Sequence, residues 1–478
     1  MAMPEDLRSI LLLSGRELRD QLRDWRIMLP LGMLTVAFPF LMQEVAAQAV
    51  AFFARFGTPL IAYRLIPFSV LIIGFFPITI SLVVALESFV GEKERGTIEP
   101  LLNAPLKNWH LYCSKLLVGF VTPLAASYLS IGLYLAMVSA QELQMPGFAT
   151  LALLLTLTTV HALLMVSAAL VISVQSTSIR AANLLASFII IPVALLMQGE
   201  SVLLFWGTDR VLWLAVAAVA IMAGMFVRLG LSHFQREYLI GRELDQLNTR
   251  WIWRTFWEAF QGGAATPRDW YHIQVAGALR RLTVPLVIIA GTAVLGFWIS
   301  YHWTTDNVPR MLSAATQGDL TDMVREARES AGLAEIDHGL SAVRILANNL
   351  RATSLLFLGG LVSFSVLGLA AYLLNVGLIG GVLGVLGLIG YSPGSLFAAG
   401  LLPHGVFEIP ALMLASATVL RLAAVLVTPQ SGKSMGQILL ELLADSATVL
   451  LGLVLPLLVV AAVVEAHITP SILLATLR

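Results

Sequence analysis

Two groups of residues in this sequence have the types and spacing to carry charge chemistry or mechanical load. The first is Glu92-Lys93-Glu94-Arg95, a compact mixed-charge run between Gly91 and Gly96, which let the chain turn. Thr97 can cap a short helix after it, Pro100 is tolerated in that helix's first turn, and Leu101 and Leu102 offer a partner an apolar face. A short rigid helix transmits motion, although most such runs, judged by charge alone, are solvated loops. The second group is Leu402-Pro403-His404-Gly405-Val406-Phe407-Glu408-Ile409-Pro410, in which Pro403, Gly405 and Pro410 interrupt helix while His404 and Glu408 can stand one turn apart. An ionisable group inside an apolar segment costs about 2.5–3.5 kcal/mol on insertion scales, so Glu408 is expected to be paired, protonated or in a wet cavity. His404 is its nearest partner and Arg421 a further one. The pair reads either as a structural hydrogen bond tying a re-entrant turn or as a proton-linked or ligand-binding site. His161 reads as a bundle-facing hydrogen-bonding residue.

Catalytic constellations are not expected. The histidines are dispersed, no H-E-x-x-H or C-x-x-C occurs, and no serine sits in G-x-S-x-G, so neither catalytic nor metal-ligating residues are assigned. Gly432-Lys433-Ser434 imitates the end of a phosphate-binding loop, but Val427 stands where the first glycine is required and the flanks are apolar helix. No cofactor is expected in this chain, and any ATP-derived energy must come from another polypeptide.

The elements that position these residues are read from hydropathy. Apolar residues make up 58% of the chain and charged ones 12%, and the apolar ones fall into long uncharged blocks. Candidate spans lie near 27–43, 66–86, 116–139, 148–172, 181–199, 210–228, 282–302, 354–374, 376–391, 409–428 and 446–466, about eleven in all. The short alternating segments of a membrane barrel are absent, so the fold class is all-α, a polytopic transmembrane helical protein. Before the first span, Leu7, Leu11, Leu18, Leu22 and Trp25 share one helical face while Arg16, Arg19, Asp20, Arg23 and Asp24 take much of the rest. That pattern suits an N-terminal amphipathic helix in the membrane plane or a lead-in anchoring the first span. A single cysteine, Cys113, excludes an intrachain disulfide, and zero formal net charge offers no electrostatic case for a nucleic-acid partner. No signal peptide is expected, because Leu7 to Arg26 is charged.

Arg8, Arg16, Arg19, Arg23 and Arg26 precede the first span, and Lys93, Arg95, Lys107 and Lys115 separate the second from the third. The positive-inside rule therefore places the N-terminus and the 87–115 loop in the cytoplasm of a multi-pass membrane protein. The arginine-rich stretch at 231–281 separates two apolar blocks, giving a six-helix domain at 1–230, a cytoplasmic or interfacial linker at 231–281, and a second transmembrane domain at 282–478. Within the linker, Trp251, Trp253, Phe256, Trp257 and Phe260 suit a helix at headgroup level or a packed helical hairpin. Acidic residues at Asp319, Asp322, Glu326, Glu329 and Glu335 predict an extracytoplasmic helical cap at about 303–353. Gly377, Gly380, Gly381 and Gly384 have small-xxx-small spacing, read as close helix packing inside one subunit.

The run from Glu87 through Glu92, Glu94, Gly96-Thr97, Glu99 and Leu101-Leu102 to Pro105, followed by Ser114-Lys115, resembles the first cytoplasmic loop of type-2 ABC permeases, and the likeness covers roughly residues 5–230. The resemblance implies a coupling loop made of Glu92, Lys93, Glu94, Arg95, Gly96, Thr97 and Glu99 that docks on a separate ABC ATPase subunit, with Glu92, Glu94, Arg95 and Glu99 in contact with it. It further implies ATP and Mg on that partner, a homodimer to complete the pathway, and residence in a bacterial-type cytoplasmic (inner) membrane among its lipids. The Pro403-His404-Gly405-x-x-Glu408-x-Pro410-Ala411 segment resembles the stage II sporulation protein M family, with Asn349, Asn375, Pro429 and Glu465 in support and Val376 departing from an expected Asn-Gly pair. This likeness covers roughly 270–475 and groups His404, Glu408, Asn349 and Asn375 as an intramembrane polar site. Together the resemblances imply the permease subunit of an ABC transporter exporting an amphiphilic, lipid-linked or polysaccharide substrate. The alternative they leave open is an ATPase-coupled scaffold regulating cell-wall or other envelope proteins without transport; an ion-coupled carrier using His404 and Glu408 is the third reading.

Overall fold

A computed structural model describes residues 5–55, 59–97, 105–141, 145–176, 178–206, 209–234, 249–315, 341–388, 390–428 and 433–477. Every regular element among them is helical, and ten helices are long and apolar enough to cross a membrane, with a shorter apolar stretch at Pro192–Phe205. The chain divides into two compact units, residues 1–247 with 427–429 and residues 248–426 with 430–478.

The first unit contains α1 (Glu5–Arg23), α2 (Trp25–Arg55), α3 (Pro59–Glu94), α4 (Asn108–Ala140), α5 (Phe148–Gln175), α6 (Ile179–Trp206) and α7 (Asp209–His233). Burial identifies the central pair. Over their most apolar stretch α3 is 65% buried and α5 72% buried, whereas α2 is 17% buried. Ile66, Val70 and Ile73 of α3 meet Leu153, Leu154 and Leu157 of α5, with Ile131 and Tyr134 of α4 closing the core. Pro67, Pro77, Pro123 and Pro192 sit inside these helices, as transmembrane helices allow when neighbours re-satisfy the freed carbonyls.

The amphipathic α1 resolves into three stripes. Leu7, Leu11, Leu22 and Trp25 of the expected apolar face are exposed, as are Arg8, Arg16, Arg19 and Arg23 on the next. The third stripe is polar and docks on α4: Asp6 meets Lys107 at 2.9 Å and His110 at 3.0 Å, the Ser14 hydroxyl reaches the Ser114 carbonyl at 3.4 Å, and Glu17 pairs with Lys115 at 3.0 Å. An apolar stripe turned away from the protein is what a helix in the membrane plane requires. The hydrogen bond from Lys107 holds the Asp6 carboxyl below its ordinary value.

The second unit begins with a helical hairpin, α8 (Thr249–Gln261) and α9 (Pro267–Trp270), the latter continuing through a π-helical turn at Tyr271–Val275 into α10 (Ala276–Arg281). Gly262 and Gly263 adopt φ of +54° and +78° at its turn, and the Trp270 indole donates to the Phe260 carbonyl at 2.8 Å. Of the stretch read as a linker, 249–281 is thus a packed hairpin belonging to the second unit; 235–248 lie outside the described residues. The spans are α11 (Thr283–Ala315), α12 (Ala342–Val362), α13 (Val366–Leu388), then α14 (Pro393–Leu396) running through a π turn at Phe397–Leu401 into α15 (Leu402–Leu426). Finally α16 (Met435–Val449) runs through a π turn at Leu450–Val454 into α17 (Leu455–His467), and α18 (Thr469–Leu477) folds back. The acidic residues of the expected cap fall at 316–340, outside the described residues.

Two boundaries differ from hydropathy. The eighth and ninth spans were expected at 354–374 and 376–391, yet the chain breaks at Ser363, where Phe364 and Ser365 take φ of +47° and +75°. The Ser363 hydroxyl donates to the Gly359 carbonyl at 2.6 Å and accepts from the Leu367 amide at 2.8 Å, capping both helix ends. Gly360 and Gly368 then touch: a Cβ on Gly368 would lie 3.0 Å from the Gly360 Cα and 2.9 Å from the Leu356 carbonyl oxygen. Close packing offsets the strain of two left-handed non-glycine residues. Also, α15 is continuous through Pro403, Gly405 and Pro410, where an interrupted, re-entrant segment was expected. The wider π turn before it accommodates a proline that has no N–H to give.

Candidate functional site

The charged run at the end of α3 joins that helix to four others. Lys115, 2% exposed on α4, places its ammonium 2.9 Å from Glu92 and 3.0 Å from Glu17 of α1, and 5.1 Å from the centre of the Phe89 ring. Lys93 donates to the Val174 and Ser176 carbonyls at 2.8 and 2.9 Å, where the C-terminus of α5 leaves acceptors unsatisfied. Glu94 accepts from the Ile179 amide at 2.7 Å, at the positive N-terminus of α6. One turn earlier the Ser173 hydroxyl donates to the Leu86 carbonyl at 2.6 Å and accepts from the Phe89 and Val90 amides, both at 3.2 Å. Three consecutive charged side chains therefore reach three different helices, and Glu17 adds α1.

This divides the residues assigned to the loop. Glu92, Lys93 and Glu94 each have a partner within the chain, and Glu94 keeps an exposed side chain. Arg95 and Thr97 are exposed, Gly96 turns with φ of +68°, and the Arg95 guanidinium folds back on the Gly91 carbonyl at 3.0 Å. The Thr97 hydroxyl points to the Glu92 carbonyl at 3.4 Å. Glu99, Pro100, Leu101 and Leu102 lie outside the described residues. A cleft of about 600 Å³ opens between α1 and this joint, lined by Arg16, Glu17, Asp20, Glu87, Glu92 and Arg95 among others. Burial pushes the Glu17 carboxyl up, with Lys115 pulling it back down.

In the second unit His404 and Glu408 stand on α15, its most buried span at 56%, and the fold adds Glu465 from α17. The His404 Nε2 to Glu408 Oε2 distance is 3.9 Å, too long for the structural hydrogen bond considered above. Asn375 turns to the Ala371 carbonyl of its own helix at 2.9 Å and is exposed. The Asn349 amide nitrogen on α12 is buried without a hydrogen-bond partner. Arg421 is not the partner of Glu408. It binds Asp445 at 2.8 Å, and Arg281 binds the other oxygen of that carboxylate at 2.7 Å. Sequence spacing disclosed no ligand constellation because its third member arrives from a helix far along the chain.

Two residues singled out for other reasons also find their places. Ser434 caps α16 by accepting from the Gln437 amide at 3.2 Å, and Lys433 binds Glu441 at 2.5 Å, so these two residues of the phosphate-loop imitation belong to a helix start. His161 on α5 is buried with its Nε2 3.4 Å from Glu200 of α6, itself 3% exposed. Glu200 was missed because it falls one residue beyond the span drawn at 181–199; a lone acid beside an apolar run was the available signal.

Residues 8–198 match the family described as ABC-2 type transporter, and residues 283–470 match the family described as Stage II sporulation protein M. No curated protein and no solved structure matches the chain. Membrane domains of the first family typically work with an ATPase subunit and are not themselves catalytic. The chain is therefore a multi-pass membrane protein that joins an ABC-2 type transporter domain, the membrane component of such a transporter, to a stage II sporulation protein M domain.

Proposed function

We propose that this chain is the permease subunit of an ABC transporter, driven by a separate ATPase that binds ATP and Mg, and that it exports an amphiphilic, lipid-linked or polysaccharide substrate. In this reading it sits in a bacterial-type inner membrane with its N-terminus in the cytoplasm, and two copies complete the pathway. The observation that carries the proposal is the joint of α3 with four other helices. A push on the segment after Gly96 reaches α4 through Lys115, α5 through Lys93, α6 through Glu94 and α1 through Glu17. A load entering there moves several spans as one body, which is what ATP-driven rearrangement needs.

The exposed half of the loop is the docking half. Co-purification with a co-expressed ABC ATPase subunit tests that: R95E combined with T97A is expected to weaken capture about tenfold or more while leaving thermal stability unchanged. Undiminished capture removes the coupling assignment. If capture persists in the wild type but no lipid or amphiphile moves in ATP-loaded vesicles across a broad panel, the scaffold reading replaces export, favoured then by the sporulation-protein domain fused at 283–470.

A further inference from the structure

We propose that His404, Glu408 and Glu465 bind a single divalent first-row transition-metal ion, with zinc the best fit to the donor set. One donor atom from each side chain lies within 4.8 Å of the others. An ion bonded at about 2.0–2.2 Å in tetrahedral geometry holds its donors about 3.4 Å apart, so rotation of the two carboxylates has to close the 3.9 Å His404–Glu408 edge by about 0.5 Å and the widest edge by more.

The histidine's tautomer supplies an independent argument. The Thr469 hydroxyl sits 3.3 Å from the Val464 carbonyl, an acceptor only, so the hydroxyl donates there. Its oxygen is then the acceptor for the His404 Nδ1–H at 3.2 Å. With the proton on Nδ1, Nε2 presents a lone pair toward Glu408. The three groups thus face one another as acceptors, and a shared cation satisfies all three at once. Among the described residues no lysine or arginine does so: Arg421 and Arg281 are both engaged by Asp445, and seventeen residues of helix put Arg421 about 25 Å along α15 from His404.

The surroundings hold the donors still. The hydrogen bond from Nδ1 to a hydroxyl is the outer-shell contact that orients a metal-binding imidazole. Both ligand-bearing helices follow a π-helical turn, at Phe397–Leu401 and Leu450–Val454, a feature that recurs at functional sites. The back-folded α18, which begins at Thr469, packs on the first of these turns. One imidazole with two carboxylates suits zinc, manganese or iron better than calcium or magnesium, which favour oxygen alone. Three protein ligands leave a position for water or a substrate group, and the partial exposure of Glu408, at 24%, gives an ion a way in.

The test is metal analysis of the full chain purified in detergent, stripped with a chelator and reloaded with Zn²⁺, Mn²⁺ or Co²⁺ separately. One ion per chain is expected, with a cobalt spectrum and an X-ray absorption edge showing nitrogen and oxygen neighbours without sulfur. E408Q and E465Q are each expected to weaken zinc affinity by about 100-fold and T469V by about tenfold, the usual effect of losing an outer-shell contact. Should a variant fold poorly, the wild type supplies the readout: Zn²⁺ added to the stripped chain raises its melting temperature. A wild-type chain that takes up none of the three ions, or variants that bind zinc as tightly as the wild type, overturns the proposal in favour of carboxylates sharing protons.

Discussion

Replacing Lys115 with methionine is expected to destabilise the first unit by about 3 kcal/mol, because it leaves Glu17 and Glu92 facing each other with no cation between them. Removing one partner of a buried ion pair costs about 3–5 kcal/mol, and the two carboxylates, 25% and 26% exposed, recover some hydration and hold the loss near the lower end. The pH dependence carries the sign. Burial raises the Glu17 carboxyl, Lys115 opposes that, and Glu92 adds to it, so the substitution removes the one opposing influence of weight. A carboxyl that titrates higher in the folded chain than in the unfolded chain binds its proton more tightly when folded. Stability therefore rises as pH falls through the folded-state value toward the ordinary carboxylate range, and the full deficit stands above it. Thermal melts of wild type and K115M from neutral to acidic pH measure the convergence, and the triple variant E17Q/E92Q/K115M, which discards every charge, is expected to recover most of the loss. Parallel curves at all pH values would dismiss the triad as an energetic unit.

That triad also shows where sequence reading stops. The spans, the amphipathic α1 and the charged run that ends α3 are legible because each is a local pattern: uncharged length, apolar residues on one helical face, basic residues between apolar blocks. Direction is not local. Nothing in the order Glu92-Lys93-Glu94-Arg95 distinguishes side chains turned inward from those turned out, since the partners Lys115, Ser176 and Ile179 lie in other helices. Arg421 illustrates the same limit, pairing with Asp445 from α16 instead of the acid on its own helix. The break at Ser363 was invisible for a related reason. Leu361 to Leu367 reads as a nearly unbroken apolar run, and the turn exists because Gly360 and Gly368 let two helices close on each other. Hydropathy records what enters the membrane and is blind to which residues meet there.

The second large effect comes from such a meeting. Among the glycines of α13, G380A is expected to cost about 3 kcal/mol and G377A close to nothing, although both sit in the same small-xxx-small pattern. A Cβ at position 380 would stand 2.6 Å from the Phe297 carbonyl oxygen and 3.2 Å from the Tyr301 amide nitrogen, both backbone atoms of α11 that cannot rotate aside. At position 377 the nearest atoms are those of the Ser300 side chain at 3.8 Å, ordinary contact distance. Alanine gains about 1 kcal/mol over glycine in a helix interior, so G377A comes out neutral or slightly stabilising while overpacking at 380 overrides the same gain. Apart from α13, α11 is held chiefly by α15, and its most apolar stretch is only 6% buried, so parting it from α13 exposes the segment 283–315 to protease. Melting temperature and limited proteolysis of the two variants side by side decide the matter. Equal behaviour would mean that α11 slides to accept a methyl group, and that α13 does not fix its position.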